Sequence, residues 1–471
     1  MFGIKDTKLA ILQLWKNKKG IYSFPQKYKT SWLVVANQEK GGYPMEAKFS
    51  IPKKANLINE KTLIVAVDLG KDSNMGYCRT PNGFEVKPFR FSNNREGFNH
   101  FWSTVQAAMA RYQLERAVVG FESTGSYGEP LEHFLKDKPE VVLVQVNPMH
   151  VKRFKEVTDN SPNKRDEKDP RVIAQLMQMG SFLSCIIPEG APAQLRELIH
   201  AREFQIKLQV QASNRLQDLV HKVFPEFSSV IKNPLCETGR YLLYHYPRPE
   251  QITSLGLREL TKIMQQKSRG KLGPWHAKRL WEAARDSVGV KQALASLCLE
   301  IRLLLQQIED IGKTIQQIEV QLPCWLGQVP YSKRLLSIKG VGAVTVAGVI
   351  GESGGLERFS GQKALMKLPG LNLYEISSGK HQGERHISKR GRPLLRKLLY
   401  FAALNTTRRG GIMYLKYQEM LARGMEKIKA QVAISRKLLR LMYALVRDNK
   451  DYIHSCSDPS TPLRTRLRKA A

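Results

Sequence analysis

The chain has 471 residues, more than the roughly 250–300 residues at which a single hydrophobic core stops growing, so we expect two or three domains. Its 75 Lys and Arg outnumber 42 Asp and Glu, which gives a formal net charge of +33. This balance argues against an ordinary enzyme of small metabolites and indicates a polyanionic partner. The sequence lacks both an amphipathic anchor and an apolar run near the ~20 residues of a spanning helix, so we expect nucleic acid and no membrane as partner.

The cysteines and the N-terminus indicate where the protein works. The six cysteines are scattered, without a CxxC pair or a Cys/His spacing suited to zinc, so we expect reduced thiols. The N-terminus lacks the apolar stretch of a signal peptide, because Lys16, Lys18 and Lys19 interrupt it. We therefore expect a cytoplasmic protein that associates with the nucleoid of a bacterium or archaeon.

An α/β domain is expected over residues 61–185, after a Lys-rich extension at residues 1–60 that shows no clear period. The apolar run Leu63–Val67 fits a buried strand, and Pro81-Asn82-Gly83 fits a hairpin turn. Strands are predicted at Leu63–Val67, Gly76–Arg79, Phe84–Phe91, Ala117–Phe121 and Val141–Val146, and helices at Asn94–Tyr112 and Leu131–Leu135. Strands that alternate with helices predict a partly parallel sheet covered on both faces.

Residues 186–328 are expected to be mainly helical. Apolar residues at helical spacing predict one long helix over Leu195–Val223. A second run, from Leu294 to Leu322, has apolar residues alternately three and four apart, which makes a coiled-coil heptad seam over four repeats. Two interpretations of the seam are open: it packs against the first helix within one subunit, or it pairs two subunits. Residues 228–290 look like an insertion and have no assigned structure.

A C-terminal domain is expected over residues 329–450, followed by a basic tail at residues 451–471. Gly340 and Gly342 precede an apolar helical run, and glycines at this spacing free backbone N–H groups to face a phosphate. This is the pattern of a helix-hairpin-helix turn, which grips nucleic-acid backbone without reading bases. The alternative is an ordinary turn, since Gly-x-Gly is common. The helical segment at residues 412–447 is basic and is a further candidate for nucleic-acid contact.

Four carboxylates are candidates for one shared site. Asp68 and Glu122 each end an apolar strand, and strand ends converge at a sheet edge. Asp166 and Asp169 lie three apart where a helix begins, so they share one helix face. Converging acids repel one another unless divalent cations neutralise them, and hard oxygen ligands suit Mg²⁺, so we expect two Mg²⁺ ions. Each acid also has a structural interpretation: Asp68 as a turn cap, Asp169 as an N-cap before Pro170.

A stretch near the C-terminus carries two serines, Ser377 and Ser378, in a Ser-Ser-Gly loop that is by itself typical of a flexible turn. Together with the earlier motifs, this stretch resembles the DEDD insertion-sequence transposases, the IS-one-ten and IS-eleven-eleven groups, which are related to Piv-type DNA invertases. The resembling pieces occur in the family's order from Thr62 to Thr407. They are Val65–Asp72, Gly120–Tyr127, the Lys-x-Asp-x-x-Asp of Lys164–Asp169, Gly340–Gly342, Ser377–Lys380 and Ser388–Arg396.

The resemblance implies a RuvC-like, ribonuclease-H-type fold for the α/β domain and a transposase fold for the C-terminal domain. The acids that hold Mg²⁺ and act in catalysis would be Asp68, Glu122, Asp166 and Asp169. The nucleophile of the C-terminal domain would be Ser378 or, failing that, Ser377. The resemblance also implies double-stranded donor and target DNA as substrates, and a structured non-coding bridge RNA from the element as guide.

Nucleic-acid contacts are expected around these motifs. The candidate residues are Lys164, Gly340, Gly342, Lys380, Lys389, Arg390, Arg392 and Arg396. The basic residues after Ser388 have an alternative interpretation as a solvated helix face. Since the acids and the serine lie on different domains, the site has to be assembled, and a homo-oligomer, either a dimer or a tetramer, would assemble it between subunits.

The main hypothesis is a transposase or site-specific recombinase whose serine attacks a DNA phosphorus and forms a phosphoserine intermediate. Two alternatives are open: a RuvC-type junction nuclease that uses metal-activated water, and a non-catalytic nucleic-acid-binding derivative. The sequence departs from the family in three ways. Pro170 biases Asp169 away from helical geometry, and the segments at residues 1–60 and 228–290 make the chain longer than common members.

Overall fold

The computed structural model describes residues 57–122, 127–158, 168–375, 377–378 and 381–453. For residues 157, 158, 168, 377, 378, 381 and 382 it describes the backbone alone. The candidate residues Lys164, Asp166 and Lys380 lie outside the described residues, as do the extension up to residue 56 and the tail from residue 454. No helix in the described part of the chain is long and apolar enough to cross a membrane.

A mixed sheet forms the centre of the α/β domain. Its strands within the described residues are β1 (Thr62–Asp68), β2 (Ser73–Arg79), β3 (Glu85–Ser92), β4 (Arg116–Glu122), β5 (Val141–Val146) and β6 (Phe182–Ser184). They are arranged in the order β3-β2-β1-β4-β5-β6. β1, β4 and β5 are parallel neighbours, whereas β2, β3 and β6 pair antiparallel. The predicted partly parallel sheet is therefore confirmed.

Helices cover both faces of this sheet, because every side chain in the middle of β1 is apolar. Val65 and Val67 pack on one face, and Ile64 and Ala66 pack on the other. The covering helices are α1 (Arg95–Arg111), α2 (Glu129–Leu135), α3 (Pro148–Thr158) and α4 (Lys168–Gln178). α1 and α2 pack on the first face, and α3 and α4 on the second. The sequence patterns did not predict α3 or β6.

The rest of the described chain is mainly helical. Its helices are α5 (Gly190–Val223), α6 (Phe227–Val230), α7 (Glu237–His245), α8 (Pro249–Ser254), α9 (Gly256–Ser268), α10 (Pro274–Arg285), α11 (Leu294–Gly327), α12 (Ser332–Leu336), α13 (Ala343–Ser353), α14 (Gln362–Lys367), α15 (Pro393–Thr406), α16 (Tyr414–Ala422) and α17 (Lys427–Arg447). A single 3₁₀ turn, Leu356–Arg358, lies between α13 and α14. Short strands before α15 carry the serine motif and are described with the site.

The long helices α5 and α11 run antiparallel within the chain. Arg202 of α5 pairs with Glu319 of α11 at 2.7 Å. Thirteen residues further along α5, Arg215 pairs with Glu300, which lies towards the start of α11, at 2.8 Å. Much of the heptad seam of α11 is buried, and Ile301 packs in one core with residues of α5, whereas Ile315 and Ile318 are only half-buried. Of the two interpretations, packing within the subunit is therefore confirmed.

Each end of the helix pair belongs to a separate core. Leu195 and Leu322 pack in the core of the C-terminal domain, with helices α13, α14, α15 and α17. Leu219 and Leu297 pack in a second core, which helices α7 to α10 complete. Residues 228–290, which the sequence left unassigned, thus form a helical unit. Between the two cores, no described residue of 200–211 or 312–321 is buried.

Candidate active site

Asp68 and Glu122 lie side by side at the carboxyl edge of the central sheet. Asp68 ends β1, and Glu122 ends β4. The two strands are parallel and in register, with Val67 opposite Phe121, so the acids occupy adjacent positions. Neighbouring strands lie about 4.8 Å apart. Adjacent position and short spacing therefore bring both carboxylates into one local site.

Both acids lie on the face of the sheet that α4 covers. Side chains alternate along a strand, and Ala66, two residues before Asp68, packs on the α4 side. Gly120, two residues before Glu122, faces the same helix, because a Cβ at this position would lie 2.3 Å from the Met177 sulfur. The missing side chain of Gly120 thus lets α4 approach the sheet closely.

Asp169 reaches the same edge from the first turn of α4. Its Oδ1 lies 2.5 Å from the Nζ of Lys155 on α3, and 17% of its side chain is exposed. The expectation that Pro170 biases Asp169 away from helical geometry is wrong, because α4 begins at Lys168 and includes both residues. A proline is tolerated in the first turn, where its missing N–H has no intrahelical partner to lose.

Burial at this edge has the largest effect on the pKa of Glu122. Burial raises the pKa of the Glu122 carboxyl, the ammonium of Lys155 acts against that shift, and the negative charge of Asp169 adds to it. Burial is the largest of these effects and makes the net direction upward, although Lys155 lowers the pKa of Glu122 by more than Asp169 raises it. Three of the four predicted acids are therefore brought together, and Asp166 lies outside the described residues.

The carboxylate oxygens at this sheet edge are suitable ligands for a hard divalent cation. Carboxylates are ligands that Mg²⁺ prefers in proteins, and a nearby cation would stabilise the charged form of the half-buried Glu122 carboxyl, which burial disfavours. Within the described residues, no group of three or more Asp, Glu, His or Cys side chains is arranged so that it could hold a metal ion. A complete ligand set would thus need Asp166 or a small movement of the three acids.

The two candidate serines lie on a short hairpin that precedes α15. Strand β7 (Leu373–Tyr374) pairs antiparallel with β10 (His386–Ile387), and this pair is the base of the hairpin. Further out, β8 (Ser377–Ser378) pairs antiparallel with β9 (His381–Gln382). The backbone of Ser378 lies opposite His381, so Ser378 is further from the base than Ser377. The sequence had indicated only a turn here.

Close backbone packing fixes the base of this hairpin. Gly391 has φ +150°, and a Cβ there would lie 2.3 Å from the carbonyl oxygen of Leu368. Gly370 has φ +65°, and a Cβ there would lie 2.8 Å from the nitrogen of Arg390. Both positions require glycine, for conformation and for space. The strands that carry the serines therefore start from a tightly packed crossing of two chain segments.

Two guanidinium groups predicted to contact nucleic acid make hydrogen bonds within the domain, Arg396 at this crossing and Arg392 with Glu352 of α13. Arg396 Nη1 donates hydrogen bonds to the carbonyl oxygens of Pro369 at 2.7 Å and of Lys389 at 3.2 Å. Arg392 Nη1 donates to the carbonyl oxygen of Glu352 at 2.6 Å and to its carboxylate at 3.1 Å. Burial lowers the pKa of Arg392. By contrast, Lys389 and Arg390 are exposed.

Glu352 connects the hairpin base to the rest of the C-terminal core. Only 3% of its side chain is exposed, and His200 Nε2 on α5 lies 2.7 Å from its Oε1. Burial alone would raise the pKa of Glu352, but the hydrogen bond with His200 and the charge of Arg392 lower it overall. One carboxylate thus links α5, α13 and the start of α15.

The predicted turn before an apolar helix is present. α12 and α13 are joined by residues 337–342, where Gly340 has φ +94° and Gly342 is the N-cap of α13. A Cβ on Gly340 would lie 3.1 Å from the Thr406 side chain, whereas one on Gly342 would meet open space. The turn therefore has the predicted geometry, and its contact with nucleic acid stays a prediction.

The basic helix α17 begins near the hairpin and carries a cluster of cations further along. Lys429 bonds Glu384, just before β10, at 2.9 Å, which brings the start of α17 to the hairpin. Further along α17, burial and the charge of Arg440 lower the pKa of Arg436. Burial, together with neighbouring cations, also lowers the pKa of Lys437. The buried Nε of Arg436 has no hydrogen-bond partner among the described residues. This cluster is thus a concentration of positive charge that an anion would stabilise.

Sequence reasoning missed three side chains of these arrangements: Lys155, His200 and Glu352. Lys155 lies on α3, a helix that the sequence patterns did not predict. Glu352 did have a signal, since it is the single charged residue of the otherwise apolar α13. A lone acid in a buried helix needs a partner of opposite charge. That rule predicts an ion pair, but it does not identify Arg392 or His200 as the partners.

We predict that Glu122→Gln raises the unfolding temperature by a few degrees at about pH 7 in metal-free buffer. A carboxyl whose pKa is raised on folding contributes stability that is present below its unfolded pKa, near 4.5, and lost as the pH rises through the folded pKa. The neutral amide avoids that loss. Thermal unfolding at about pH 7 and about pH 4 checks this, because the two proteins should differ only at the higher pH.

The control for this prediction is Glu60→Gln at an exposed position. It should unfold like the wild type at both pH values. Equal stability of wild type and Glu122→Gln at about pH 7 would contradict the electrostatic description of the acid edge.

We predict that Gly391→Ala destabilises the hairpin base by more than the about 1–3 kcal/mol of backbone strain alone, because its Cβ would also collide with backbone atoms. Urea unfolding measures the loss, and amide hydrogen exchange over residues 366–394 locates it. Gly424→Ala is the matched control, since Gly424 has φ +80° but no neighbour within 4 Å of a Cβ. Equal losses in the two variants would show that close packing at Gly391 is unimportant.

Comparisons with known proteins match both regions that carry the candidate site residues. A family model for transposases of the DEDD type found in IS110 elements matches residues 65–225. A second model, described as a transposase of the IS116/IS110/IS902 family, matches residues 332–418. The first match includes Asp68, Glu122 and Asp169, and the second includes Ser378. Together the two matches span more than half of the chain.

Two curated relatives come from insertion elements of Streptomyces. The uncharacterized 43.6 kDa protein of insertion element IS110 from Streptomyces coelicolor is 23% identical over 296 residues, which cover 61% of this chain and 72% of the relative. The uncharacterized 44.8 kDa protein of insertion element IS116 from Streptomyces clavuligerus is 24% identical over 291 residues, with the same coverage. The chain belongs to the IS110 family of insertion-sequence transposases and is an enzyme that acts on DNA.

Proposed function

We propose that this transposase cuts and rejoins DNA with two chemical parts, a divalent-metal site at the acid edge and a serine nucleophile on the hairpin. The observation that carries the proposal is the convergence of Asp68, Glu122 and Asp169 at one sheet edge. The sheet supports a RuvC-like, ribonuclease-H-type domain, because an antiparallel β1–β3 meander continues into parallel β4 and β5. The hairpin that carries the serine is fixed at its base by close packing at Gly370 and Gly391, which supports a serine nucleophile as the second chemical part.

The metal site would consist of Asp68, Glu122 and Asp169, completed by Asp166. Four carboxylates suit two Mg²⁺ ions, which is the number we propose. When bound, Mg²⁺ supplies positive charge that stabilises the phosphate oxygens and lowers the proton affinity of an attacking hydroxyl. The chain's own residues prepare the site, because Gly120 lets α4 lie close to the sheet and Lys155 holds Asp169 beside Glu122.

Ser378 is the proposed nucleophile, and Ser377 is its alternative. The serine Oγ forms a bond to a DNA phosphorus while the bond from that phosphorus to one deoxyribose oxygen breaks. The departing strand end takes up a proton, and the serine is left as a phosphate diester of the other strand end. One phosphate ester replaces another, so the bond energy is kept for the reverse attack that rejoins DNA. The position of Ser378 further out on the hairpin suits contact with a large substrate.

We assign different roles to the basic residues around the serine. Arg392 and Arg396 position the hairpin, because their guanidinium groups are engaged within the domain. Exposed Lys389 and Arg390 are left to contact the DNA backbone, together with the α17 cluster of Arg436, Lys437 and Arg440 and the turn of Gly340 and Gly342. Lys164 and Lys380 remain candidates for the same contacts.

The acids and the serine belong to different cores of the chain, so we propose that the complete site forms in a dimer or tetramer. The substrates would be double-stranded donor and target DNA. The formal net charge of +33 also suits a second polyanion, a structured non-coding bridge RNA that guides the enzyme. A junction nuclease that uses metal-activated water is the second candidate, because the acid edge by itself is sufficient for hydrolysis.

We predict that Ser378→Ala abolishes the covalent protein–DNA adduct on a suicide substrate that traps cleaved intermediates. Ser377→Ala is the matched variant, and it should still form the adduct, because Ser378 supplies the Oγ. Denaturing gel electrophoresis detects the adduct, and mass spectrometry of the DNA-linked peptide identifies the serine.

An adduct at wild-type level with Ser378→Ala would disprove the assignment of Ser378. Loss of the adduct with Ser377→Ala alone would instead identify Ser377. Strand cleavage that persists without an adduct in both variants would favour the junction nuclease.

We predict that Asp68→Asn lowers the rate of strand cleavage about a thousandfold or more, the order expected when one member of a catalytic unit is removed. Chelation of divalent cations should have the same effect on the wild type, and added Mg²⁺ should restore only the wild type. Exposed Asp72→Asn is the nearby control and should cleave normally. Normal cleavage by Asp68→Asn, with DNA binding intact in a gel-shift assay, would rule out the acid edge as the catalytic site.

A further inference from the structure

The turn between α9 and α10 is strongly basic. Residues 260–281 contain no Asp or Glu. The cations close to the turn are Lys267, Arg269, Lys271, Lys278 and Arg279. All of these except Lys267 are exposed. Two acids at the rim, Glu237 and Glu282, come only within 4.0 Å of Arg269 and 3.9 Å of Lys278. We call residues 267–279 the α9–α10 surface.

A large aromatic side chain stands in the middle of this surface. Trp275 is 61% exposed, and the guanidinium of Arg279 lies 4.8 Å from the centre of its ring. Trp281, six residues further along α10, makes different contacts: its Nε1 donates to the carbonyl oxygen of Thr253 at 3.1 Å, and its ring packs against the core. An exposed tryptophan lacks the large hydrophobic stabilisation that burial of its ring would give. The ring of Trp275 is therefore accessible to a partner.

The fold holds Trp275 in a fixed place. α10 begins directly before it, with Gly273 as N-cap and Pro274 as the first helical residue. The opposite side of α10 is anchored by the buried residues Ala277, Leu280 and Ala284. An aromatic ring on a rigid helix start, surrounded by cations, is the combination that binds unpaired bases and their phosphates.

Neighbouring α7 repeats the combination of cation and aromatic ring. The Nζ of Lys267 lies 4.5 Å from the centre of the Tyr241 ring on α7. Tyr244, on the same helix, is 45% exposed. Aromatic rings therefore occur on two helices that pack against α9, and the Tyr241 ring contacts Lys267 of the α9–α10 surface.

We infer that the α9–α10 surface binds a single-stranded segment of the DNA substrate, with an unpaired base stacked on Trp275 and its phosphates held by the surrounding cations. Duplex DNA hides the faces of its bases, so it would use the cations but not the ring. A second copy of this chain is a poor occupant, because two surfaces of like charge repel each other. DNA is the substrate class that the family establishes, and its strands separate when they are exchanged.

This site is separate from the proposed chemistry. It lies between the two matched transposase regions, residues 65–225 and 332–418, and includes none of the acids or serines. A variant of Trp275 should therefore leave the covalent serine adduct on a fully duplex suicide substrate unchanged. Failure of this inference and failure of the proposed function are thus distinguishable.

The test measures binding of full-length protein to fluorescently labelled oligonucleotides of about 16 nucleotides. Trp275→Ala should weaken binding of single-stranded DNA about tenfold, since stacking of one base contributes this order of affinity. Binding of duplex DNA of the same length should change less than twofold. Trp275→Phe should keep most of the affinity, because a phenyl ring still stacks. Phe204→Ala removes an equally exposed aromatic ring on α5 and should have no effect.

Each other outcome overturns the inference. Unchanged single-strand binding in Trp275→Ala would show that the ring is not used. Equal losses for single-stranded and duplex DNA would show that the surface recognises backbone charge alone. Tighter binding of single-stranded RNA than of single-stranded DNA, with the same dependence on Trp275, would assign the surface to RNA instead.

Discussion

Repulsion between neighbouring carboxylates is the main constraint on the α/β domain, because the rest of the domain has to offset it. Parallel pairing of β1 and β4 puts Asp68 beside Glu122, and like charges about 4 Å apart repel by about 1 kcal/mol in water and by several times more where water is excluded. This repulsion does not separate the strands, because apolar packing on both faces of the sheet fixes them. Gly120 and Lys155 then determine how close Asp169 comes. An edge built in this way gains stability from any cation that reaches it, so folding and cation binding are coupled.

The hairpin that carries the serines has strands of only two residues each, so it has little hydrophobic core of its own. The position of this hairpin is therefore set at its base, where two backbone segments cross at Gly370 and Gly391. The buried contact between Arg392 and Glu352 adds little net stability, since desolvation offsets the attraction of two charges. Its effect is geometric: one carboxylate, shared with His200, fixes the start of α15 relative to α5 and α13. A movement of α5 would therefore shift the start of α15, and with it the hairpin that carries the serine, through this contact.

The sequence was sufficient for the sheet and insufficient for the contacts that align the site. Residues Leu63–Val67 are apolar without interruption, and only a buried strand or a buried helix has that pattern. The helices of residues 228–290 escaped prediction because they are short, 4 to 13 residues each, and carry few periodic positions. The hydrogen bonds of Arg392 and Arg396 within the domain could not be predicted, because a sequence does not say whether a guanidinium faces solvent or a carbonyl oxygen. Tertiary packing decides that, as it does for Lys155.

The helix pair of α5 and α11 sets the distance between the two cores whose surfaces we propose to bind nucleic acid. Leu195 lies in the core that carries the serine hairpin, and Leu219 lies in the core that carries the α9–α10 surface. At a rise of about 1.5 Å per residue, these positions are about 36 Å apart along α5. One turn of duplex DNA spans about the same length. A change in the length of the helix pair would therefore change the distance between the core that carries the proposed single-strand site and the core that carries the proposed nucleophile.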